Sequence, residues 1–418
     1  MKTILIFFFG LFLVSQLNAY PIDGYDYTGI RRLLYLQRIL NGEIKAKPLI
    51  PGAQKKLEEI HLNLYGTSRC DSLWELPAPD PHLQSSLDSL FPHLNESYSI
   101  ALLDITPGRP IRYASRQEDR GFQPGSVGKL AVLAGLMCEL DNLYPDSFEL
   151  RRQLMKTTII KAGPFGVYDE HTVPFFDPET NNLVRRQVQQ TDIFSLYEWV
   201  DHMLSVSNNG AACVVWRESM LMRAFGLKYK DLTYDQKMDY FKTTPRKELA
   251  DLAVAVVSDP LRSMGIAENE WRLGTMFTDM AGRIVPPKGG SIGTPRALMK
   301  YLVTIEQGAF IDYATCLEMK RLMYMTGPRI RYAANANLKD AAVFFKSGSL
   351  YHCRPEAGYS CGKYKGNLDN YMNSVAIIEH DDGRVYFVAL MSNVLRKNSN
   401  LDHNMLAGRI DKLITPVR

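Results

Sequence analysis

The order of strand and helix patterns along the chain constrains its fold more than any other feature. Strand patterns stand near both ends of the chain, at 98–104, 111–114, 341–346, 374–378 and 385–390. Asp382-Gly383 separates the last two and is a dipeptide suited to a hairpin turn. Residues 140–300 are mostly helical in pattern. We therefore expect an α+β fold, in which an antiparallel β-sheet built from both chain ends is flanked by helices and carries an inserted all-helical domain.

The chain has 418 residues, enough for two to three domain-sized units or for one large domain with insertions. We expect a signal peptide at 1–19, an N-terminal helical extension and linker at 20–95, and a main domain at 96–418. Within the main domain, the sheet part covers about 96–125 and 335–418, and the helical part about 126–334. Two amphipathic helices are predicted in the extension, at 29–40 and 53–65, before a proline-rich stretch at 76–81.

The first nineteen residues have the pattern of an export signal. Lys2 precedes an apolar run at 4–14, and small residues follow up to Ala19. The apolar run is short for a membrane anchor, which needs about 20 apolar residues. We therefore expect an exported protein, periplasmic or secreted, after cleavage near Ala19.

Charge and metal-ligand patterns narrow the classes of function. The formal net charge is only +4 and the basic residues are scattered, so we expect no nucleic-acid partner. The eight histidines stand singly and the six cysteines lack metal-ligand spacing, so we expect no metal and no cofactor. Cys353 and Cys361 flank a short loop and are the best candidates for a disulfide. The sequence leaves the oligomeric state open.

Ser126 and Lys129 form the first candidate for catalysis. They follow Pro124-Gly125 and open a long apolar stretch, and in a helix two residues three positions apart share one face. A lysine can deprotonate a serine when burial or a nearby cation lowers its pKa, and the apolar stretch would bury this one. Ser360 and Lys363 have the same spacing but lie in a glycine-rich run that indicates a loop. We therefore expect Ser126 to be the nucleophile.

Two further motifs follow Ser126 in the chain. Ser207-Asn208-Asn209 lies between helical runs at 195–204 and 211–225, and by itself is typical of a turn with a helix cap. Lys346-Ser347-Gly348 ends the strand that begins at Ala341, and by itself is typical of a strand terminus with a solvated lysine.

Together, the three motifs in this order resemble those of the penicillin-recognising serine acylases, which include the serine β-lactamases, especially class A, and the D,D-peptidases. The resemblance covers about 98–418. It implies that Ser126 attacks a carbonyl carbon and that Lys129 is the base. It also implies that Ser207 relays a proton to the leaving nitrogen, and that Asn209 holds Lys129 and a substrate amide.

The same resemblance implies how substrate is bound. Lys346 and Ser347 would bind the carboxylate shared by β-lactams and D-Ala-D-Ala peptides, through charge-assisted contacts. Gly348 would allow the backbone to approach the substrate closely. The backbone N–H groups of Ser126 and Ser349 would form the oxyanion hole. The expected partner is therefore a small β-lactam or a cell-wall peptide.

The departure from the class A pattern lies in the segment before residue 294. Class A enzymes carry there a glutamate that activates the water that releases the acyl group, and its motif is absent here. Asp279 is the nearest candidate for a deacylation base, and Glu268 and Glu270 lie further away. The sequence favours an exported serine hydrolase of the class A type that acts through an acyl-serine on β-lactam amide bonds. A D,D-peptidase-like enzyme for cell-wall peptides and a non-catalytic envelope binding module on the same fold are the alternatives.

Overall fold

The computed structural model describes residues 19–46 and 48–414. The expected signal peptide, apart from Ala19, lies outside the described residues. The α-helices are α1 Tyr25–Thr28, α2 Arg31–Leu40, α3 Pro81–Asp88, α4 Lys129–Leu143, α5 Phe148–Thr157, α6 Leu196–Leu204, α7 Asn209–Phe225, α8 Tyr234–Thr243, α9 Arg246–Ser263, α10 Asp279–Ile284, α11 Pro295–Glu306, α12 Tyr313–Met323 and α13 Asn400–Leu413. The strands are β1 Ser99–Asp104, β2 Arg112–Arg116, β3 Ile159–Lys161, β4 Val173–Asp177, β5 Asn182–Arg186, β6 Ile193–Ser195, β7 Trp271–Arg272, β8 Ile292–Gly293, β9 Ala342–His352, β10 Asp369–Glu379 and β11 Val385–Asn393.

The main sheet is antiparallel and draws its strands from both ends of the chain. Its order is β2-β1-β11-β10-β9. The first hairpin joins the last one through β1 and β11, where Ser99 pairs with Met391 and Asp104 with Tyr386. Together with the surrounding helices, this sheet confirms the predicted α+β class.

The two faces of the sheet are covered by different sets of helices. Side chains alternate between faces along a strand, so Ile100 and Leu102 join the smaller apolar cluster, which includes Leu406 of α13. Ala101 and Leu103 join the larger cluster with the helices of the inserted part. The sheet is therefore the partition between two cores, and β9 at its edge borders the helical part.

Helix α4 is the central helix of the inserted part, and nearly all of its residues are buried. Its most extensive neighbours are α7 and α9. The inserted part is helical apart from short two-stranded pairs, β3 with β6, β4 with β5 and β7 with β8. The β4–β5 hairpin lies within the region whose sequence pattern is mostly helical, in a stretch rich in proline and asparagine.

The predicted helix at 29–40 is confirmed as α2, but the predicted helix at 53–65 is wrong. That stretch consists of the end of a 3₁₀ turn at Pro51–Ala53, a second 3₁₀ turn at Leu57–Glu59 and irregular chain. Several of its backbone amides bind distant partners instead of carbonyls four residues back: Asn63 N donates to Glu306 Oε2 at 2.5 Å, and Lys55 N donates to the Tyr324 hydroxyl at 2.8 Å. Tertiary hydrogen bonds thus replace the helical ones.

The N-terminal extension is part of the folded core. Tyr20 is fully buried, and its hydroxyl donates to Glu318 Oε1 at 2.8 Å. Arg32 donates to both carboxylate oxygens of Asp201 on α6, at 2.6 and 2.5 Å. Both partners are buried, and removing one partner of such a pair costs about 3–5 kcal/mol. Across the described ranges, no helix combines the length and apolarity that crossing a bilayer requires.

Candidate active site

Ser126 lies in a 3₁₀ turn, Gly125–Gly128, that leads into α4. The sequence predicts a helix start here, and the structure gives a tighter first turn before the α-helix begins at Lys129. Gly125 has φ +52°, and a Cβ there would lie 2.9 Å from Ser349 N. Glycine therefore allows the turn to pack directly against the end of β9.

Lys129 is fully buried and its Nζ contacts three of the predicted site residues. It donates to Ser126 Oγ at 2.9 Å, to Asn209 Oδ1 at 2.7 Å and to Ser207 O at 2.5 Å. Burial lowers the pKa of Lys129 to about 7, and the negative charge of Asp169 opposes this shift. A large fraction of Lys129 is therefore neutral near pH 7 and can accept the proton of Ser126.

Ser207 joins Lys129 to the second lysine of the site. It lies between α6 and α7 at φ +60°, and its Oγ is 3.3 Å from Lys129 Nζ and 2.8 Å from Lys346 Nζ. Burial, with the positive charges of Lys129 and Arg331, holds the pKa of Lys346 well below its usual value. The hydroxyl thus provides a short path for a proton between the two amines.

The end of β9 forms the opposite edge of the site. A Cβ on Gly348 would lie 2.3 Å from Pro124 O and 3.0 Å from Ser126 N, so only glycine fits. This close packing places the backbone of Ser349 beside that of Ser126. Ser347 lines the same cleft.

Arg331 is a charged group of the cleft that the sequence reasoning missed. Its guanidinium donates to Gly348 O at 2.7 Å and to Ser349 Oγ at 3.0 Å, and it lies 5.2 Å from the Tyr364 ring centroid. Burial lowers the pKa of Arg331 from its usual value. Arg331 adds positive charge beside Ser347, but no motif in the sequence marks it.

Asp169 and His171 were also missed, because they lie in the irregular stretch between β3 and β4. Asp169 accepts hydrogen bonds from Asn209 N at 2.6 Å and from His171 Nδ1 at 2.7 Å. Burial favours the protonated carboxyl, but these hydrogen bonds and the charge of Lys129 hold the pKa of Asp169 below its usual range. An ionised carboxylate thus lies behind Asn209.

The wall on the other side of Lys129 is apolar. The Phe277 ring centroid is 5.2 Å from Lys129 Nζ, and a Cβ on Gly128 would lie 2.7 Å from Leu273. Asp279 lines the cleft as the exposed first residue of α10. Glu270 is paired instead with Lys300 at 2.8 Å and does not line the cleft.

These groups surround one cleft of about 660 Å³. At its rim, Lys363 pairs with Glu170 at 3.2 Å. Cys353 and Cys361 are joined by a disulfide, as expected, which closes the loop next to this rim. Ser360 lies exposed in that loop and outside the cleft lining, so the second serine–lysine pair does not assemble a site.

Comparison with known proteins gives one family and one fold. A model described as the β-lactamase enzyme family matches residues 82–415. No curated protein matches the chain. The structure of PBP-A has 13% identity and a TM-score of 0.50, covering 81% of this chain and 97% of its own. A PBP-A mutant in an acyl-enzyme complex with penicillin G has 13% identity and a TM-score of 0.50, with coverage of 80% and 97%.

An extended-spectrum β-lactamase, TLA-3, is similar to the same degree. It has 13% identity and a TM-score of 0.50, covering 80% of this chain and 98% of its own. At this identity the likeness establishes the shared fold.

Proposed function

Because the chain belongs to the β-lactamase enzyme family, we propose that it is a serine hydrolase that opens β-lactam amide bonds through an acyl-serine intermediate at Ser126. The observation that carries this proposal is the 2.9 Å contact between Ser126 Oγ and the fully buried amine of Lys129. With a pKa of about 7, that amine accepts a proton at the pH where the enzyme would work.

The acylation step follows from the contacts of Ser126. Neutral Lys129 takes the hydroxyl proton while Oγ attacks the carbonyl carbon of the β-lactam. The N–H groups of Ser126 and Ser349 stabilise the oxyanion of the tetrahedral intermediate. The C–N bond then breaks, and the proton passes from Lys129 through Ser207 to the leaving nitrogen. The product is an ester on Ser126, in which the former ring nitrogen remains attached to the acyl group as an amine.

In this proposal, the edge of the cleft along β9 orients the substrate. Lys346 and Ser347 bind the substrate carboxylate, and Arg331 adds charge at the same edge. Asn209 holds Lys129 and donates to a substrate amide. Gly348 leaves room for the substrate next to the backbone.

Release of the acyl group is slow in this proposal. Hydrolysis of the ester needs a base for the attacking water, and the wall nearest Lys129 carries Phe277 and Leu273 rather than a carboxylate. Asp279 is a carboxylate that lines this side of the cleft, and because it is exposed it contributes weakly. This wall favours, as the second candidate, a D,D-peptidase-like enzyme that acylates with cell-wall peptides and remains labelled by penicillin.

A non-catalytic envelope binding module is the third candidate function, and the two buried lysines argue against it. Lys129 and Lys346 are 0% and 2% exposed, and burying two polar amines is costly without a function that uses them. An exported location, with cleavage near Ala19, accords with cell-wall or β-lactam substrates and belongs to the same proposal.

The test is a time course of intact mass with a fluorescent penicillin, on the wild type and on Ser126→Ala and Ser360→Ala. We expect one acyl group on the wild type and on Ser360→Ala, and none on Ser126→Ala. A persistent adduct indicates a peptidase-like enzyme, and a transient adduct with ring-opened product indicates a β-lactamase. Equal labelling of Ser126→Ala and the wild type would refute the assignment of the nucleophile. Absence of any adduct would refute β-lactam acylation.

A further inference from the structure

The side-chain amide of Asn209 has two possible orientations, and its neighbours select one. Its Oδ1 accepts from Lys129 Nζ at 2.7 Å, and its Nδ2 donates to Asp169 Oδ1 at 3.2 Å. In the reverse orientation, Nδ2 would face the donors of Lys129 and Oδ1 would face a carboxylate. Both contacts would then be repulsive. The carboxylate of Asp169 therefore excludes the orientation that turns a donor towards Lys129.

Asp169 is itself held by two further hydrogen bonds. Its side chain is 3% exposed and accepts from His171 Nδ1 at 2.7 Å and from Asn209 N at 2.6 Å. Asn208 Nδ2 in turn donates to His171 O at 2.9 Å, which fixes the backbone of this segment to the start of α7. The carboxylate thus has little freedom to turn away.

Capping of α7 accounts for only part of this arrangement. Asn208 is the N-cap residue, and its side chain already accepts from Ala211 N at 2.6 Å. A carboxylate near a helix N-terminus stabilises the helix through the Asn209 N–H. The contact to Asn209 Nδ2 adds nothing to a cap, but it determines which atom faces Lys129.

We propose that Asp169 is a positioning residue, and that with His171 it holds the Asn209 amide with Oδ1 towards Lys129, so that the general base is correctly aligned on Ser126. This inference rests on the proposed acylation at Ser126 and deepens it. The result is a continuous hydrogen-bonded chain from His171, through Asp169, Asn209 and Lys129, to Ser126.

The charge of Asp169 also acts on Lys129 directly. The titratable and charged groups that face Lys129 are Lys346 on β9, Cys213 on α7 and Asp169, and Arg331 lies behind Lys346. Among them, Asp169 is the carboxylate, and its charge counters the lowering of the Lys129 pKa by burial. Removing that charge while the fold is kept lowers the pKa of Lys129 further.

Two variants separate positioning from capping. Asp169→Ser leaves the Asn208 cap of α7 in place but removes the charge and the acceptor for Nδ2. Asp169→Asn keeps the shape of the side chain, but its new NH2 group faces one of the groups that now donate a hydrogen bond to Asp169. The matched control is Glu170→Gln, one residue along, whose side chain is 68% exposed and pairs with Lys363 at the rim.

The first measurement is the rate of acylation by a fluorescent penicillin as a function of pH. For both Asp169 variants, we expect the plateau rate to fall about 10- to 100-fold, the usual cost of mispairing a buried polar group. We also expect the acidic limb to move to lower pH. Glu170→Gln should match the wild type in both respects. Unchanged plateau and limb in folded Asp169→Ser would overturn the proposal.

The second measurement does not depend on acylation. Carbon-13 NMR of the Lys129 side chain in the free protein gives its titration midpoint, which we expect to be lower in Asp169→Ser than in the wild type and in Glu170→Gln. Loss of thermal stability with an unchanged midpoint indicates a cap alone and overturns the proposal. If the wild type is not acylated, the proposed function fails, and this titration still decides the role of Asp169.

Discussion

The two walls that meet at Lys129 differ in chemistry. On one wall, Ser126, Ser207 and Asn209 supply hydrogen-bond acceptors within 3.3 Å of Lys129 Nζ. On the other wall, Phe277 presents a ring at 5.2 Å. The first wall is suited to moving a proton off Ser126, and the second offers only the exposed carboxylate of Asp279 to move a proton off water. The comparison indicates that formation and release of an acyl group depend on different parts of this molecule.

The largest effect is expected from a substitution that removes the amine of Lys129, where the two walls meet. Lys129→Met keeps the length of the side chain but removes the base, and loss of a general base costs about 10²- to 10⁴-fold in rate. The rate of acylation by a fluorescent penicillin measures it. The control is Lys363→Met, an exposed lysine at the rim, which should react like the wild type. Acylation of Lys129→Met at more than a tenth of the wild-type rate would be incompatible with a lysine base.

The second prediction converts the apolar wall into a polar one. Phe277→Glu places a carboxylate beside Lys129, and we expect release of the acyl group to accelerate about 10- to 100-fold because a base for water becomes available. The same charge raises the pKa of Lys129, so acylation at pH 7 should slow. Phe277→Gln, similar in size to the glutamate but uncharged, should show neither effect. Mass spectrometry of the adduct over time checks both, and equal release from the two variants would count against the apolar wall as the cause of slow turnover.

The third prediction concerns the pH dependence of acylation. Lys129 acts in its neutral form, and its pKa is lowered to about 7. The rate should therefore fall about tenfold per pH unit below that pKa and level off above it. Stopped-flow fluorescence checks this between about pH 5 and pH 9, a range that extends about two pH units on either side of the expected midpoint. A rate that is still rising about tenfold per pH unit at the alkaline end of this range would indicate a lysine with an ordinary pKa.

The smallest expected effect concerns Asp279. It lines the cleft on the apolar side but is exposed, so we expect Asp279→Asn to slow release of the acyl group only about two- to fivefold, with acylation unchanged. The decay of the labelled protein measures release. Unchanged decay would remove Asp279 from the mechanism.

The parts of the fold that the sequence predicts are those with strong local patterns. The strands at both ends and the buried helix that follows Ser126 have regular apolar patterns, and they lie where predicted. The helix predicted at 53–65 has an amphipathic pattern as well, but Glu306 and Tyr324 bind its backbone amides. A sequence pattern contains no information about such distant partners.

The candidate site follows the same rule. The spacing of Ser126 and Lys129 predicts that these two residues lie together. The order of the motifs adds Ser207 and Lys346 to the same predicted site. Asp169 and Arg331 have neither spacing nor motif, because they reach the cleft from irregular segments and the tertiary fold alone brings them there.

The buried pair between Arg32 and Asp201 has a consequence for the cleft. Asp201 lies on α6, the helix that ends three residues before Ser207, and Arg31 binds Glu198 on the same helix at 2.7 Å. The segment that contains Arg31 and Arg32 precedes residues 82–415, the part matched to the family. It nevertheless anchors the helix that leads to Ser207. Removal of residues 20–46 would leave every proposed catalytic side chain in the protein but would take away both ion pairs that hold α6.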